Sequence, residues 1–598
     1  MRRPLSRGPR GGGLRGRESR GRCGLRQGAR CLGLPRASRA ARARGARSCR
    51  APLPLRACGR PSRPLPTGAT LSAGPRWEAG DPAVCAAVEA SFHGGRALAA
   101  GPRAEVLRDN PRRRLVRLRG SAGGALLVKE FRLGTGRHAL REALKERIGR
   151  SPAVREWRAL SALRAARVSV PEPLALARLE DGDRLLVLRY VDGRPLKDAL
   201  RAPSKERRRL LSLLGTRIAE LHGAGFVHGD LHHGNVLVGE GGPVLLDLQH
   251  ARRSAERRQR LRDLAHLDHA LSYFASRTDR LRVLSAALRL PRPFDAAGRR
   301  LLRKLAVFTQ ARAIAHAQSR TRRCLRPGRA YASVSYGSWR GLRASDVGPS
   351  ELVLALDAHA KATAAPELVK RDARAVTTAV RLGEAAVIVK EHRTRGLPRA
   401  LADLVRGSAA RRAWRGGHGL LQRGIGAARP LAFLERRAFG IPAASLVVLE
   451  DLRPDWPADS PPEGADLAQV VPVLARLAAR LRLQGVDHGD LKGGNVYLRE
   501  GLGGSLEARL IDLESVVFRR NVGERRAIRA LAQLNASLPD AYPARARCAA
   551  LELYARLAPF SGGREQARSE VIAQSLARRH RWTGAGCAQA ERERRPAN

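Results

Sequence analysis

The stretch FVHGDLHHGNVLV, which begins at Phe226, is written again as VDHGDLKGGNVYL from Val486, 260 residues later. The repeat is ordered on a larger scale. Lys129 closes the apolar run GGALLVKEF and Lys390 closes AAVIVKEH, an offset of 261, while Asp230 and Asp490 are 260 apart. A near-constant offset across a whole series of motifs is the signature of tandem units. At 598 residues the chain is also too long for one ordinary core.

Each unit reads as strands followed by helices. In the first, RAEVLRDN, RRLVRLRG and GGALLVKEF are three short strands joined by Asn-Pro and Gly-Gly turns. SPAVREWRALSALRAARV then has a Ser-Pro start and helical spacing of Trp157, Leu160 and Leu163. Another strand pair ends in RLLVLRYV. Helices dominate from about 196 to 323, broken by the quoted loop and the strands NVLV and PVLLDL. In the second unit PELVKRD, AVTTAVRL and AAVIVKEH are strands, SAARRAWRGGHGLLQRG a helix, and ASLVVLEDL a strand. The loop, ARLIDLES and further helices complete it.

The residues kept in order are those that phosphoryl transfer from ATP requires. The first unit holds Lys129 at a strand end, Glu156 on the following helix, His228-Gly-Asp230, Asn235, and Asp247 after an apolar strand. The second holds Lys390, His488-Gly-Asp490, Asn495 and Asp512. A strand lysine neutralises the α- and β-phosphates and a helix carboxylate holds it. One aspartate takes the acceptor hydroxyl's proton, while an asparagine and a second aspartate hold Mg²⁺. All-oxygen ligands suit that ion. The loop histidines His228 and His488 read as packing and hydrogen-bonding supports rather than chemical groups. His222, His232 and His233 show no zinc-ligand spacing.

On these motifs the chain resembles the protein-kinase-like superfamily, and within it the bacterial lipopolysaccharide core kinases that phosphorylate Kdo or heptose. The words VREWRALSALRAARVSVPEPLALA and HGDLHHGN carry the likeness in the first unit. GSAARRAWRGGHGLLQRGIGAARPLAFLERR and LAQLNASLP carry it in the second. The resemblance covers roughly 100–320 and 366–560. It implies an α+β chain of two tandem kinase-like domains, each with a small N-terminal antiparallel β lobe and a larger helical C-terminal lobe. It further implies Asp230 and Asp490 as catalytic bases, with Lys129, Glu156, Lys390 and Lys492 around ATP. Asn235, Asp247, Asn495 and Asp512 are the implied Mg²⁺ ligands. The HGD motif lacks the arginine with which many protein kinases read a phosphorylated loop, and is similar to that of aminoglycoside and choline kinases, the competing enzyme class. No GxGxxG precedes either lysine; RDNPRRR and RDARAVT stand there, with Asp109 and Asp372 at equivalent turn positions.

The units differ at three places. Aligning VREWRAL with RRAWRGG sets Ala413 opposite Glu156, so the second unit lacks the helix carboxylate and reads either as a second catalyst or as a regulatory pseudokinase. His232 stands opposite Lys492, which can meet a transferred phosphate directly. Gln249 stands opposite Glu514, an added candidate metal ligand.

Composition bounds the remainder. The net charge is +59, carried by arginine with only nine lysines, which reads partly as coding bias and partly as a surface for phosphate-rich partners. An anionic sugar or lipopolysaccharide acceptor and peripheral contact with an anionic inner membrane fit that charge. Nucleic acid does not: aromatics make up 4% and no nucleic-acid motif is present. Without a signal peptide or a run of eighteen apolar residues, the expected location is the cytoplasm. Residues 1–80 contain twenty arginines and two acids without apolar periodicity, and read as a disordered tail or as translation upstream of the true start. The expected organisation is a first domain over 81–323, a linker over 324–350, a second domain over 351–578 and a tail over 579–598.

Overall fold

A computed structural model describes residues 75–579 apart from 94–96, 99–103, 121–123, 134–150, 365–369, 372–374, 394–395 and 502–503. The expectations for 1–74, for Asp372 and for 580–598 lie outside the described residues.

The first half is built on a six-stranded antiparallel sheet. Its strands are β1 (Arg76–Gly80), β2 (Ala104–Asn110), β3 (Arg113–Leu118), β4 (Leu126–Phe131), β5 (Pro173–Arg178) and β6 (Arg184–Arg189). They lie in the order β1-β5-β6-β4-β3-β2. Strand β1 falls inside the segment expected to be a tail. Arg76–Gly80 instead pairs with β5, because Trp77 alternates onto the apolar face beside Ala175 and Ala177. Helix α1 (Pro82–Glu89), capped by Asp81, follows it.

Alternation along β4 decides where its lysine points. Leu126 and Val128 pack into one cluster with Val116, Leu185 and Val187, whereas Leu127 and Phe131 join the opposite, helical core. Lys129 shares their face. Helix α2 (Pro152–Ala165) covers that face. Ser151 caps it by accepting from the Val154 amide, with Pro152 in the first turn. Beyond β6 come α3 (Ser204–Gly223), the hairpin β7 (Val236–Gly239) and β8 (Gly242–Leu245), α4 (Arg257–Leu271), α5 (Arg277–Ala287) and the 28-residue α6 (Ala296–Arg323).

The linker expected over 324–350 is not one. It folds as the hairpin β9 (Tyr331–Tyr336) and β10 (Trp339–Ala344), and β10 pairs with a strand of the second sheet. Leu342 and Ala344 are buried there, so this segment belongs to the second core. Helix α7 (Pro349–Ala364) follows, then β11 (Ala375–Leu382), β12 (Ala385–Arg393), α8 (Leu397–Arg406), α9 (Ala409–Leu421), β13 (Pro430–Ala438) and β14 (Ile441–Glu450). The seven-stranded order is β9-β10-β13-β14-β12-β11, ending in the two-residue strand Lys370–Arg371. The inner order β13-β14-β12-β11 repeats β5-β6-β4-β3 of the first sheet. Helix α10 (Leu467–Leu483), hairpin β15 (Val496–Glu500) and β16 (Leu506–Leu510), and α11 (Glu524–Ser537), α12 (Ala544–Leu557) and α13 (Arg564–Leu576) complete the half.

Helix α6 ties the halves together. Gln310 and Gln318 donate to the carbonyls of Leu483 and Arg519, and Thr321 Oγ1 accepts from Arg423. Trp414, wholly buried, donates its indole N–H to the Cys324 carbonyl at 2.7 Å. No helix among the described residues is long and apolar enough to cross a membrane.

Candidate active site

In the first half, the Lys129 ammonium lies 2.7 Å from Glu156 Oε1, with the lysine 6% and the glutamate 1% exposed. The second carboxylate oxygen of Glu156 is buried without a hydrogen-bond partner. Strand β4 and helix α2 thus present the two residues to each other.

The quoted loop is built from within. His228 directs Nε2 to the Leu246 carbonyl at 2.9 Å, and burial keeps its ring below the usual pKa and neutral. Asp263 of α4 accepts from the amides of His228 and Gly229. Gly229 has φ +78°, and a Cβ there would stand 2.5 Å from the His250 carbonyl oxygen. That geometry explains a glycine between histidine and aspartate, since a larger residue has neither the backbone freedom nor the space. The second loop repeats both features: His488 Nε2 meets the Ile511 carbonyl at 3.1 Å, and Gly489 has φ +80°.

Hairpin pairing brings the candidate metal residues to one end. Val236 pairs with Leu245, and the Leu246 amide continues the ladder to the Asn235 carbonyl, so Asn235 and Asp247 flank the same edge. Asn235 Nδ2 donates to the Asp230 carbonyl at 2.9 Å, which turns the amide oxygen the other way. Asn495 makes the same bond to Asp490 at 2.9 Å. Asp247 and Asp512 both sit in the left-handed region, at φ 58° and 57°, a conformation costly for a residue with a side chain. Such strain recurring at two matched carboxylates accords with a functional demand on their direction.

The halves hold these aspartates differently. Arg113 approaches Asp247 at 3.2 Å and donates to Gln249 at 2.6 Å, from a turn capped by Asn110 and against the Phe131 ring. In register, Leu115 faces Lys129 and Thr377 faces Lys390, so Ala375 occupies the place of Arg113. In the second half Lys390 takes over: it lies 3.0 Å from Asp512 and 2.6 Å from Glu514. Burial alone would lower the lysine's pKa, but the Glu514 and Asp512 carboxylates raise it above the ordinary value. Burial pushes Glu514 up; at Asp512 burial also acts upward, but Lys390 together with Glu514 and His488 outweighs it and holds the carboxyl down. Ala413, at the place of Glu156, is buried beside Trp414. The carboxylate missing from the helix is thus supplied by Glu514.

Around the candidate bases, His232 Nε2 and His266 Nδ1 each stand 3.7 Å from one oxygen of Asp230. Lys492 lies 3.0 Å from Asp490 Oδ2, and Gln533 donates to its other oxygen. Arg113, His266 and Gln533 were not singled out by sequence. They come from a turn and from helices whose spacing to the loops differs between halves, so no constant offset marks them. Asp109, of unassigned role in the sequence, pairs with Arg132 at 2.8 Å.

The model of the "Lipopolysaccharide kinase (Kdo/WaaP) family" matches residues 101–286 and again 383–553, more than half of the chain. The chain belongs to this family. The double match falls on the two halves described above and includes both loops, both lysines and both candidate metal aspartates. KEOPS complex subunit Bud32 of Pyrococcus abyssi (strain GE5 / Orsay) is 33% identical over 95 residues, which are 16% of this chain and 42% of that relative. The chain therefore spans less than half of the relative's length. A solved structure of WaaP in complex with acyl carrier protein aligns over 38% of this chain and 89% of its own, at 22% identity and a TM-score of 0.28.

Proposed function

We propose that the chain transfers the γ-phosphate of ATP to a sugar hydroxyl of the lipopolysaccharide inner core, Kdo or heptose. The observation that carries this reading is the buried Lys129–Glu156 pair at 2.7 Å. Removing two charges from water costs several kcal/mol per ion. A buried lysine held at that cost by a helix carboxylate, in a chain that also carries a loop with a candidate aspartate base, fits a role in binding phosphates.

In this reading Lys129, oriented by Glu156, binds the α- and β-phosphates. Asp230 orients the acceptor hydroxyl and takes its proton as that oxygen bonds to the γ-phosphorus. The bond to the bridging oxygen breaks and ADP leaves with the electron pair. Asn235 and Asp247 in one half, and Asn495 and Asp512 in the other, would hold Mg²⁺, which supplies charge neutralisation on the phosphates. Their oxygens suit a hard dication, and Asn235 already turns its amide oxygen away from the loop. Asp490, Lys390 and Lys492 take the corresponding roles in the second half, with Glu514 as the lysine's anchor. The units are then 75–323 and 324–579, each a β lobe with a helical lobe. The basic surface holds anionic sugar or lipid at the cytoplasmic face of a membrane.

A second reading has the second half bind without turnover. The buried Ala413 at the place of Glu156 favours it, because the helix of the second half offers Lys390 no carboxylate. Phosphate transfer from γ-labelled ATP to deacylated core oligosaccharide, measured for Asp230→Asn, Asp490→Asn and the double variant, separates these readings. Two active halves each lose part of the transfer, and the double variant loses it all. Full activity in Asp490→Asn assigns the second half to binding. Transfer surviving the double change removes both aspartates as bases.

A further inference from the structure

We infer that His266 and Gln533, each on the helix after its metal-side hairpin, are positioning residues that orient the base carboxylate by presenting a side-chain N–H toward one of its oxygens. The inference rests on the reading of Asp230 and Asp490 as bases. His266 of α4 points Nδ1 at Asp230 Oδ1 across 3.7 Å. Gln533 of α11 donates its amide to Asp490 Oδ1. Gln533 makes the hydrogen bond in this structure, whereas His266 stands 3.7 Å away, beyond hydrogen-bond distance, with its nitrogen turned toward the corresponding oxygen.

The proton on His266 is fixed from the far side. Arg312 of α6 directs NH2 to His266 Nε2 at 2.6 Å. A guanidinium has only donors, so Nε2 accepts and the ring proton sits on Nδ1, facing Asp230. Burial, and then the nearby Arg312, push the ring's pKa down to about 4, so it is neutral near pH 7. His232 and Asp263 are the other charged or titratable groups acting on this ring. In the second half Gln533 needs no such arrangement, since an amide keeps its N–H at every pH. The remaining carboxylate oxygen faces His232 in one half and Lys492 with Asn495 in the other.

A donor to one oxygen limits the carboxylate's rotation and so sets which way its second oxygen faces, toward His232 in one half and Lys492 in the other. Its loss should lower kcat and spare KM, because the donor touches neither nucleotide nor acceptor. The full chain carrying Asp490→Asn reports on the first half, assayed with γ-labelled ATP and deacylated core oligosaccharide. His266→Leu should lower kcat about 10- to 100-fold with both KM values within about twofold, and His266→Gln, which restores an N–H, should recover most of it. In the Asp230→Asn background, Gln533→Met should show the same kcat-only loss, which keeps the test valid if His266→Leu fails to fold. Unchanged kcat in the folded Leu or Met variant overturns the inference, as does a Gln variant as impaired as Leu. Transfer that survives Asp230→Asn together with Asp490→Asn is a separate result: it refutes the bases themselves.

Discussion

Arg113 reaches from the β2–β3 turn to Asp247, 134 residues away, and holds that carboxylate at 3.2 Å while also binding Gln249. On the proposed reading this turn takes the part of the glycine-rich loop with which other kinases cover the phosphates. A guanidinium at this place offers a fork of donors that phosphate can accept in exchange for Asp247. Arg113→Ala should therefore raise the KM for ATP about tenfold in the Asp490→Asn background. Steady-state kinetics at fixed acceptor check this; a lower KM would mean that Arg113 only competes with the nucleotide's metal.

Removing one partner of a buried ion pair leaves the other charged and unsolvated. Lys129→Met should destabilise the chain by roughly 3–5 kcal/mol. Lys129→Met with Glu156→Leu should recover most of that stability and none of the activity. Urea unfolding of the single and double variants gives the comparison. Equal stability of the two would show that Glu156 finds another partner.

Both loop glycines carry a conformational demand. Gly229→Ala should cost about 1–2 kcal/mol for the left-handed backbone alone, plus the clash with the His250 carbonyl at 2.5 Å. Gly489→Ala meets the Ser515 carbonyl at 2.8 Å and should cost somewhat less. Thermal unfolding measures both, and an Ala variant as stable as the parent would contradict the loop geometry. Replacing either glycine by arginine should abolish phosphate transfer.

Acid should weaken the second half through His418. Burial depresses its pKa from 6.5 to about 4, and Arg429 adds to the shift. The unfolded chain then binds a proton that the folded chain refuses, so stability is complete above about pH 6.5 and is lost as pH falls toward 4. The contribution is on the order of 2–3 kcal/mol. His418→Gln should flatten the fall in urea midpoint over that window. An unaltered slope would place the acid sensitivity elsewhere.

The elements that carry the candidate site are legible in the sequence because they obey local rules. Ser151 and Ser408 cap the helices they precede, and alternation in GGALLVKEF sets Lys129 on the face of Leu127 and Phe131. Two strand segments were lost to composition. Arg76–Gly80 was absorbed into an arginine-rich tail, although only Trp77 marks its apolar face. Tyr331–Ala344, with its Arg, Gly and Ser, reads as a linker, yet the Gly337-Ser338 turn between Tyr336 and Trp339 is a two-residue hairpin signal. Arg113, His266 and Gln533 escaped for another reason: their role depends on which distant carboxylate the fold sets before them. Ala413 looked like a missing part, and the substitute, Glu514, was in view only as a metal ligand.

The last turn of α6 has a practical bearing on how this duplication can be taken apart. Thr321 accepts from Arg423 and Cys324 from Trp414, so a gene cut after residue 323 would keep the indole bond within the downstream fragment but take from the buried Arg423 its hydroxyl partner. A self-standing C-terminal fragment has to start upstream of Thr321, and an N-terminal one ending there would carry a raw, unshielded helix end.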